Sequence, residues 1–370
     1  MQQLDHTSIP FNAAKPTISS WRRYDIDWLR ILALALLIVY HVVVSFQPWA
    51  TMIFFIQNED SLEGLWIFMS LINIWRIPIL FLVSGMGVRF AMERRNWKQL
   101  LKDRTIRLLI PLIFGFFFIC PISVYIAMLH YGKVSGWAYF PNDGHLWFLG
   151  NIFLYVLLLL PFLTYLKNRP ENIFFRALSK IMKFRGGLFL LALPVAVEAV
   201  LVNPEYFASY AKTLHGFWLG MVCFMLGYTF ISIGNAFWKA VEIDRVIALA
   251  LAILLYLVRL FLFGLEGPHA LTALESICWM LAIFGYGSSF LNKPSRKLSY
   301  LSKAVYPVYI VHMPIQYAFS YFIIPTALPA TIKLVFIFAA TFGGSLALYE
   351  YVIKRLKWIR PLFGMKLRHD

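Results

Sequence analysis

An all-α bundle that crosses a membrane many times is the fold class this sequence predicts, on three observations. Hydrophobic residues fill 60% of the 370 positions and aromatic residues 18%, while charged residues fill only 14%, a balance outside that of ordinary water-soluble domains. Apolar stretches approaching the ~20 residues a helix needs to cross ~30 Å of hydrocarbon recur along the whole chain. Most of the 34 Lys and Arg gather in alternate connections between those stretches, the placement that marks cytoplasmic loops.

The predicted architecture is a polytopic helix bundle of about ten transmembrane helices, at 29–47, 65–91, 106–131, 145–166, 187–203, 214–233, 246–265, 270–291, 303–324 and 330–353. The basic connections lie at 89–107, 167–185, 239–245 and 293–303, with further Lys and Arg before the first span and after the last. Both termini are therefore expected in the cytoplasm. The net charge of +16 is accounted for by this orientation signal and implies no nucleic-acid partner. Anionic lipid or a phosphorylated cosubstrate suits the same basic loops.

A flexible cytoplasmic tail is expected over 1–20, one membrane domain over 21–360, and a basic cytoplasmic tail over 361–370. No Pro- or Gly-rich linker divides the chain, and no internal repeat stands out. The polar stretch before the first apolar run, and the length of that run, argue against a cleaved signal. The segments ERRNWKQLLKDRTIRLLIP and ENIFFRALSKIMKFRG mix charge with apolar residues at helical spacing and read as interfacial helices. Cys120, Cys223 and Cys278 fall in separate spans without paired spacing, so packing is their expected role, and neither a disulfide framework nor a metal site.

The chemistry is concentrated in polar groups inside the spans, each costly in hydrocarbon. Arg30 and His41 come first. Eleven residues at about 100° each return to within roughly 20° of the starting direction and rise about 16 Å, roughly half the hydrocarbon thickness. The pair thus sets a guanidinium at the inner membrane edge and an imidazole near the midplane on one stripe. Arg76 and His312 fall at similar depth to His41 in their own spans. His145, Glu198, His215, Arg259, Glu275 and Glu350 complete the set.

Four runs carry a family resemblance: DIDWLR followed by His41, RIPILFLVSGMGVRF, HLWFL at 145–149 and VYPVYIVHMPI. In this order they resemble the motifs of the integral-membrane acyltransferase-3 family. LYEYVIKRLKWIRPLF near the C-terminus extends the likeness toward its glucan biosynthesis protein C branch, linked to succinylation of periplasmic glucans. The resemblance implies transfer of an acyl group from cytoplasmic acyl-CoA to a hydroxyl of an extracytoplasmic glycan or related acceptor. It places the protein in the cell's inner membrane. Acyl-CoA is then a cosubstrate, with no permanently bound cofactor. The family's essential Arg/His pair maps onto Arg30 and His41, with Arg76, His145 and His312 as further matched positions.

On that reading His41 serves as a base or as a transient acyl carrier. Arg76, His145, His312 and Trp147 are the expected substrate-binding residues. Arg89, Arg104 and Arg107 are expected on the donor's phosphates, which a guanidinium fork fits. Structural roles compete at several positions. Arg76 has Glu198 or Glu275 as a buried partner, His145 and Trp147 suit the interface belt, and Glu350 suits an ion pair with its basic neighbours. Pro307 and Pro314 leave carbonyls that His312 is placed to satisfy. A transporter or flippase of a glycan or glycolipid is the alternative from another class.

Overall fold

The computed structural model describes residues 22–170 and 172–366. The 1–20 tail and the last part of the 361–370 tail lie outside the described residues. Every regular element among the described residues is helical. We number them α1 (Tyr24–Val44), α2 (Leu65–Arg94), α3 (Trp97–His130), α4 (Gly144–Asn168), α5 (Ile173–Ile181), α6 (Gly187–Val202), α7 (Leu214–Ile233), α8 (Asn235–Phe263), α9 (His269–Phe290), α10 (Arg296–Ile323) and α11 (Ala330–Ile353).

Eight of these are long and apolar enough to cross a membrane, namely α1–α4, α7–α9 and α11. The remaining two predicted spans are both present as helices. The segment 187–203 forms the shorter α6, and 303–324 lies within the 28-residue α10. Helix α10 has the length to span, but Lys, Ser, Tyr, His and Gln side chains dilute its apolarity. Of the two expected interfacial helices, the second is α5, with Ile173 and Phe174 exposed on it. The first is the opening of α3, started by a capping box in which Asn96 and Gln99 exchange side-chain and backbone hydrogen bonds.

Association inside hydrocarbon depends on close approach, and the pairing of α2 with α7 shows how it is met. A Cβ at Gly85 would collide with the Phe224 carbonyl, and one at Gly227 with the Leu82 carbonyl. The two backbones thus touch on both sides of the crossing, as small residues allow.

Prolines inside the helices shape the rest. A proline lacks the N–H that would bond the carbonyl four residues earlier, and in hydrocarbon that carbonyl must find another donor. Pro78 frees the Ile74 carbonyl, which accepts from Tyr210 and Ser276 at 3.0 and 2.8 Å. Pro111 frees that of Arg107, taken by the Tyr306 hydroxyl at 2.6 Å. Pro121 frees that of Phe117, taken by Tyr139 at 2.9 Å. In α3 each of these prolines follows a widened π turn, Thr105–Leu109 and Gly115–Ile119. These three prolines therefore tie their helices to polar side chains from elsewhere in the chain.

Both ends of the described chain reach the same end of the bundle. Arg30, early in α1, lies close enough to Arg107 to feel its charge, and Gly364 packs against the Arg107 carbonyl and the Tyr306 ring. A 3₁₀ turn, Lys357–Phe363, buries Arg360 and Phe363 there. It runs into the region expected as a C-terminal tail, with residues 361–363 inside the turn and 364–366 following it in the described structure.

Candidate active site

Helices α1, α2, α4 and α10 and the α6–α7 connection converge on one cavity of about 110 Å³. Tyr40 and His41 come from α1, Asn73 and Arg76 from α2, His145, Trp147 and Phe148 from α4, Tyr309 from α10 and Tyr210 from the connection. His312 lies directly behind His41. The two imidazoles lie nearly coplanar and edge to edge, with centroids 5.2 Å apart and 7° between planes, and His41 Nδ1 is 2.9 Å from His312 Nε2. His312 is fully buried, while His41 keeps partial exposure. The sequence motifs thus bring His41, Arg76, His145 and Trp147 onto one wall and place His312 one layer deeper.

The kink of α10 orients the histidines. Pro314 frees the Ile310 carbonyl, and His145 Nε2–H is shared between it and the Tyr309 carbonyl at 3.1 and 3.0 Å. His312 Nδ1–H donates to the same Tyr309 carbonyl at 2.6 Å. The Tyr309 hydroxyl returns a bond to the His145 carbonyl. On its other edge His145 has only Cys120, whose thiol donates to the Asp143 carbonyl at 3.2 Å and lies 4.0 Å from His145 Nδ1. Cys120, Cys223 and Cys278 are all free and buried. Among the described residues no group of three or more His, Cys, Asp or Glu is arranged to hold a metal ion.

Arg76 is the unusual charge. It is 3% exposed, yet no carboxylate among the described residues pairs with it. Its guanidinium lies over the Tyr40 ring at 3.8 Å, and one amino group donates to Asn73 Oδ1 at 2.8 Å. Its Nε and Nη1 have no protein partner. The carboxylates considered as its partners are taken elsewhere. Arg259 holds Glu275 at 2.6 and 3.1 Å, and His215 meets Glu198 at 3.0 Å. Glu350 is paired with Lys354 at 2.7 Å and with the Tyr300 hydroxyl at 2.9 Å. Close to Arg76, burial pushes the Tyr210 phenol well above its ordinary range, against the opposing pull of Arg76. The phenol is therefore a neutral donor to Ile74.

The opposite end of α1 carries a second polar cluster. Arg30 packs against Gly87 of α2, and Arg104 donates to the Gly87 carbonyl at 3.2 Å. Arg107 joins them. Asp27 lies 3.7 Å from Arg30, and Asp103 pairs with Arg107 and Arg95 at 3.1 and 3.0 Å. Arg30 and Arg107 are about two-fifths exposed, while Arg104 Nε is buried without a partner. Arg89 stands apart from this group: it bonds Ser232 at 3.0 Å and Glu93 at 2.7 Å, tying α2 to α7.

Sequence reasoning missed Tyr40, Asn73, Tyr210 and Tyr309. Asn73 and Tyr309 stand three residues before Arg76 and His312, a spacing that shares a helix face and would have flagged both. Tyr210 lies in a connection without periodicity, and no sequence signal points to it.

In comparison with known protein families, a family model described as an acyltransferase domain matches residues 23–350. The comparisons with curated proteins and with solved structures return no match.

Proposed function

Because the chain belongs to the acyltransferase-3 family of multi-pass membrane enzymes, we propose that it moves a short acyl group from acyl-CoA at the arginine-rich end to a hydroxyl acceptor at the histidine end. The arginine-rich end faces the cytoplasm on this reading, following the distribution of Lys and Arg. The membrane is then the inner membrane, both termini are cytoplasmic, and the acceptor is an extracytoplasmic glycan or a related alcohol.

Arg30, Arg104 and Arg107 suit the donor's phosphates, because guanidinium groups pair with phosphate oxygens through parallel hydrogen bonds. The pantetheine arm then follows α1 toward His41. The cavity beside His41, about 110 Å³, has room for a short acyl group such as acetyl or succinyl.

Arg76 is the observation that carries the reading. A buried guanidinium with two unpartnered donors, on the wall it shares with His41, is built to receive negative charge that arrives with the reaction. That charge is the oxyanion formed at the thioester carbonyl, or a carboxylate on the acyl group itself. The second case supports succinyl or a similar diacid and the glucan biosynthesis protein C branch. The acceptor's proton goes to His41 acting as base, or His41 carries the acyl group briefly.

Protein in lipid nanodiscs, supplied with radiolabelled acetyl- or succinyl-CoA and a glycan acceptor, tests this. Label moves to the acceptor in the intact protein and stays on CoA in His41→Ala. Glycan movement across the bilayer without any acyl transfer replaces the proposal with the transporter reading. Preference for the acetyl donor rules out the diacid assignment while leaving the acyltransferase intact.

A further inference from the structure

The sequence reading puts His312 on the substrate, and its position behind His41 suggests another job. We propose that His312 is a positioning residue that fixes the tautomer of His41 and makes His41 Nε2 the working atom of the acyl-transfer step. The inference rests on the function proposed above.

Hydrogen-bond polarity carries the argument. A carbonyl accepts and never donates, so the bond between His312 Nδ1 and the Tyr309 carbonyl requires the proton on Nδ1. A neutral imidazole has one N–H, and its other nitrogen is an acceptor. His312 Nε2 is then a lone pair, and the proton of the 2.9 Å contact belongs to His41 Nδ1. His41 is left with its lone pair on Nε2, for which the protein supplies no partner. The Tyr309 carbonyl, His312 and His41 thus form a chain with one direction, in which each member sets the protonation of the next. It has the logic of a nucleophile's base oriented by a third group, with a backbone carbonyl and a second imidazole as the orienting members.

Exposure separates the two histidines. His312 is fully buried with both ring nitrogens engaged, whereas His41 lines the cavity. Only His41 meets the substrate. His145 supports the arrangement from the side, since its Nε2–H occupies the Tyr309 and Ile310 carbonyls and its ring stands 4.8 Å from that of His312 at 78°.

In the transfer step the acceptor O–H bond breaks and its proton goes to His41 Nε2, as the oxygen bonds to the thioester carbonyl carbon. When the C–S bond breaks, the departing thiolate sulfur takes that proton back, leaving neutral thiol, ester and His41 as at the start. Throughout, His41 Nδ1–H stays on His312 Nε2, which steadies the positive charge while His41 holds both protons. If His41 instead carries the acyl group, Nε2 is also the atom that attacks.

Two measurements test this, one of which needs no activity. Nitrogen-15 spectra of histidine-labelled protein in nanodiscs should show His41 in the Nδ1–H tautomer, and His312→Ala should convert it to the Nε2–H form or a mixture. An Nε2–H tautomer in the unaltered protein overturns the proposal, whether or not transfer is ever observed. In turnover assays His312→Ala should lower kcat by roughly 10²-fold with donor KM within about twofold. His312→Gln, which keeps an acceptor oxygen near the Nε2 position, should recover part of kcat. An unchanged His41 tautomer in folded His312→Ala, or a rise in KM at constant kcat, assigns His312 a structural or substrate-binding role instead. Absence of acyl transfer in the unaltered protein counts against the proposed function, and the spectra still decide the tautomer.

Discussion

Buried charge is handled in two ways in this molecule. In the part built from α6 to α9, two buried charged pairs are matched, while Asp244 of α8 is held by the Gly186 N–H at 3.1 Å. Arg259 and Glu275 form a two-point ion pair whose guanidinium also reaches the Leu265 and Ser70 carbonyls at 3.0 and 3.2 Å. His215 is held between Glu198 and the Phe207 carbonyl, at 3.0 and 2.8 Å. Around the α1–α2–α10 cavity the pattern is the reverse, with Arg76 lacking a counter-ion and His41 lacking a partner at Nε2. A buried charge that is already paired serves the fold, because removing either partner strands the other. One left unpaired costs stability and persists where a ligand or a transition state completes it. The two parts therefore ought to respond in opposite senses to the same kind of mutation.

His41→Ala is expected to have the largest effect. Loss of a positioned acid–base group lowers turnover by about 10²–10⁴-fold, while thermal stability should fall only by about 1–3 kcal/mol, the cost of an unpaired buried His312 Nε2. Turnover within tenfold of the parent would remove the contrast at its strongest point.

Next comes Arg259→Ala, which should fail in the other direction. It leaves Glu275 buried and unpaired, at a cost of about 3–5 kcal/mol, visible as lower folded yield and an earlier thermal transition. The protein that does fold should keep its donor KM. Arg259→Ala with normal stability would show that the matched part is not held by its ion pair.

Arg76→Met sharpens the comparison because here stability and activity should part. The substitution removes an uncompensated charge from a buried site, so stability should hold or rise, the lost cation–π contact with Tyr40 being worth about 0.5–2 kcal/mol. Transfer should fall roughly 10- to 100-fold, the value of a hydrogen bond to a charged group. Unfolding scans beside initial rates separate the two. A large drop in stability would place Arg76 with Arg259 as a structural residue.

What the sequence revealed follows the same division. Spans are legible because hydrocarbon demands about 20 apolar residues, and the eight uniformly apolar helices stand out for that reason. Helix α10 does not, because its polar side chains belong to the site, and its motif identifies it better than its hydropathy. His41, Arg76, His145 and His312 are legible because ionisable groups in a span are expensive. Which of them share a cavity is not, since Arg76 had two acidic candidates in sequence and uses neither. Tyr210 and Tyr309 are hidden for a further reason. A tyrosine costs little in a membrane protein, and the value of Tyr210 comes from a carbonyl 136 residues away that a proline has freed.

The smallest effect separates two arginines that look alike in sequence. Arg89 and Arg104 both border the basic connection after α2, and both were expected on the donor's phosphates. Arg104 has a buried Nε with no partner and faces Arg30 and Arg107, whereas Arg89 is committed to Ser232 and Glu93. Arg104→Ala should therefore raise donor KM by roughly threefold to tenfold, a partly screened charge contact at that depth. Arg89→Ala should leave donor KM within about twofold and show its effect in stability, through the lost tie between α2 and α7. Equal increases in KM for the two variants would mean that the phosphates are read by the net positive field of this end. A rise for Arg104 alone would locate the donor's head at the Gly87 approach, on the line that leads along α1 to His41.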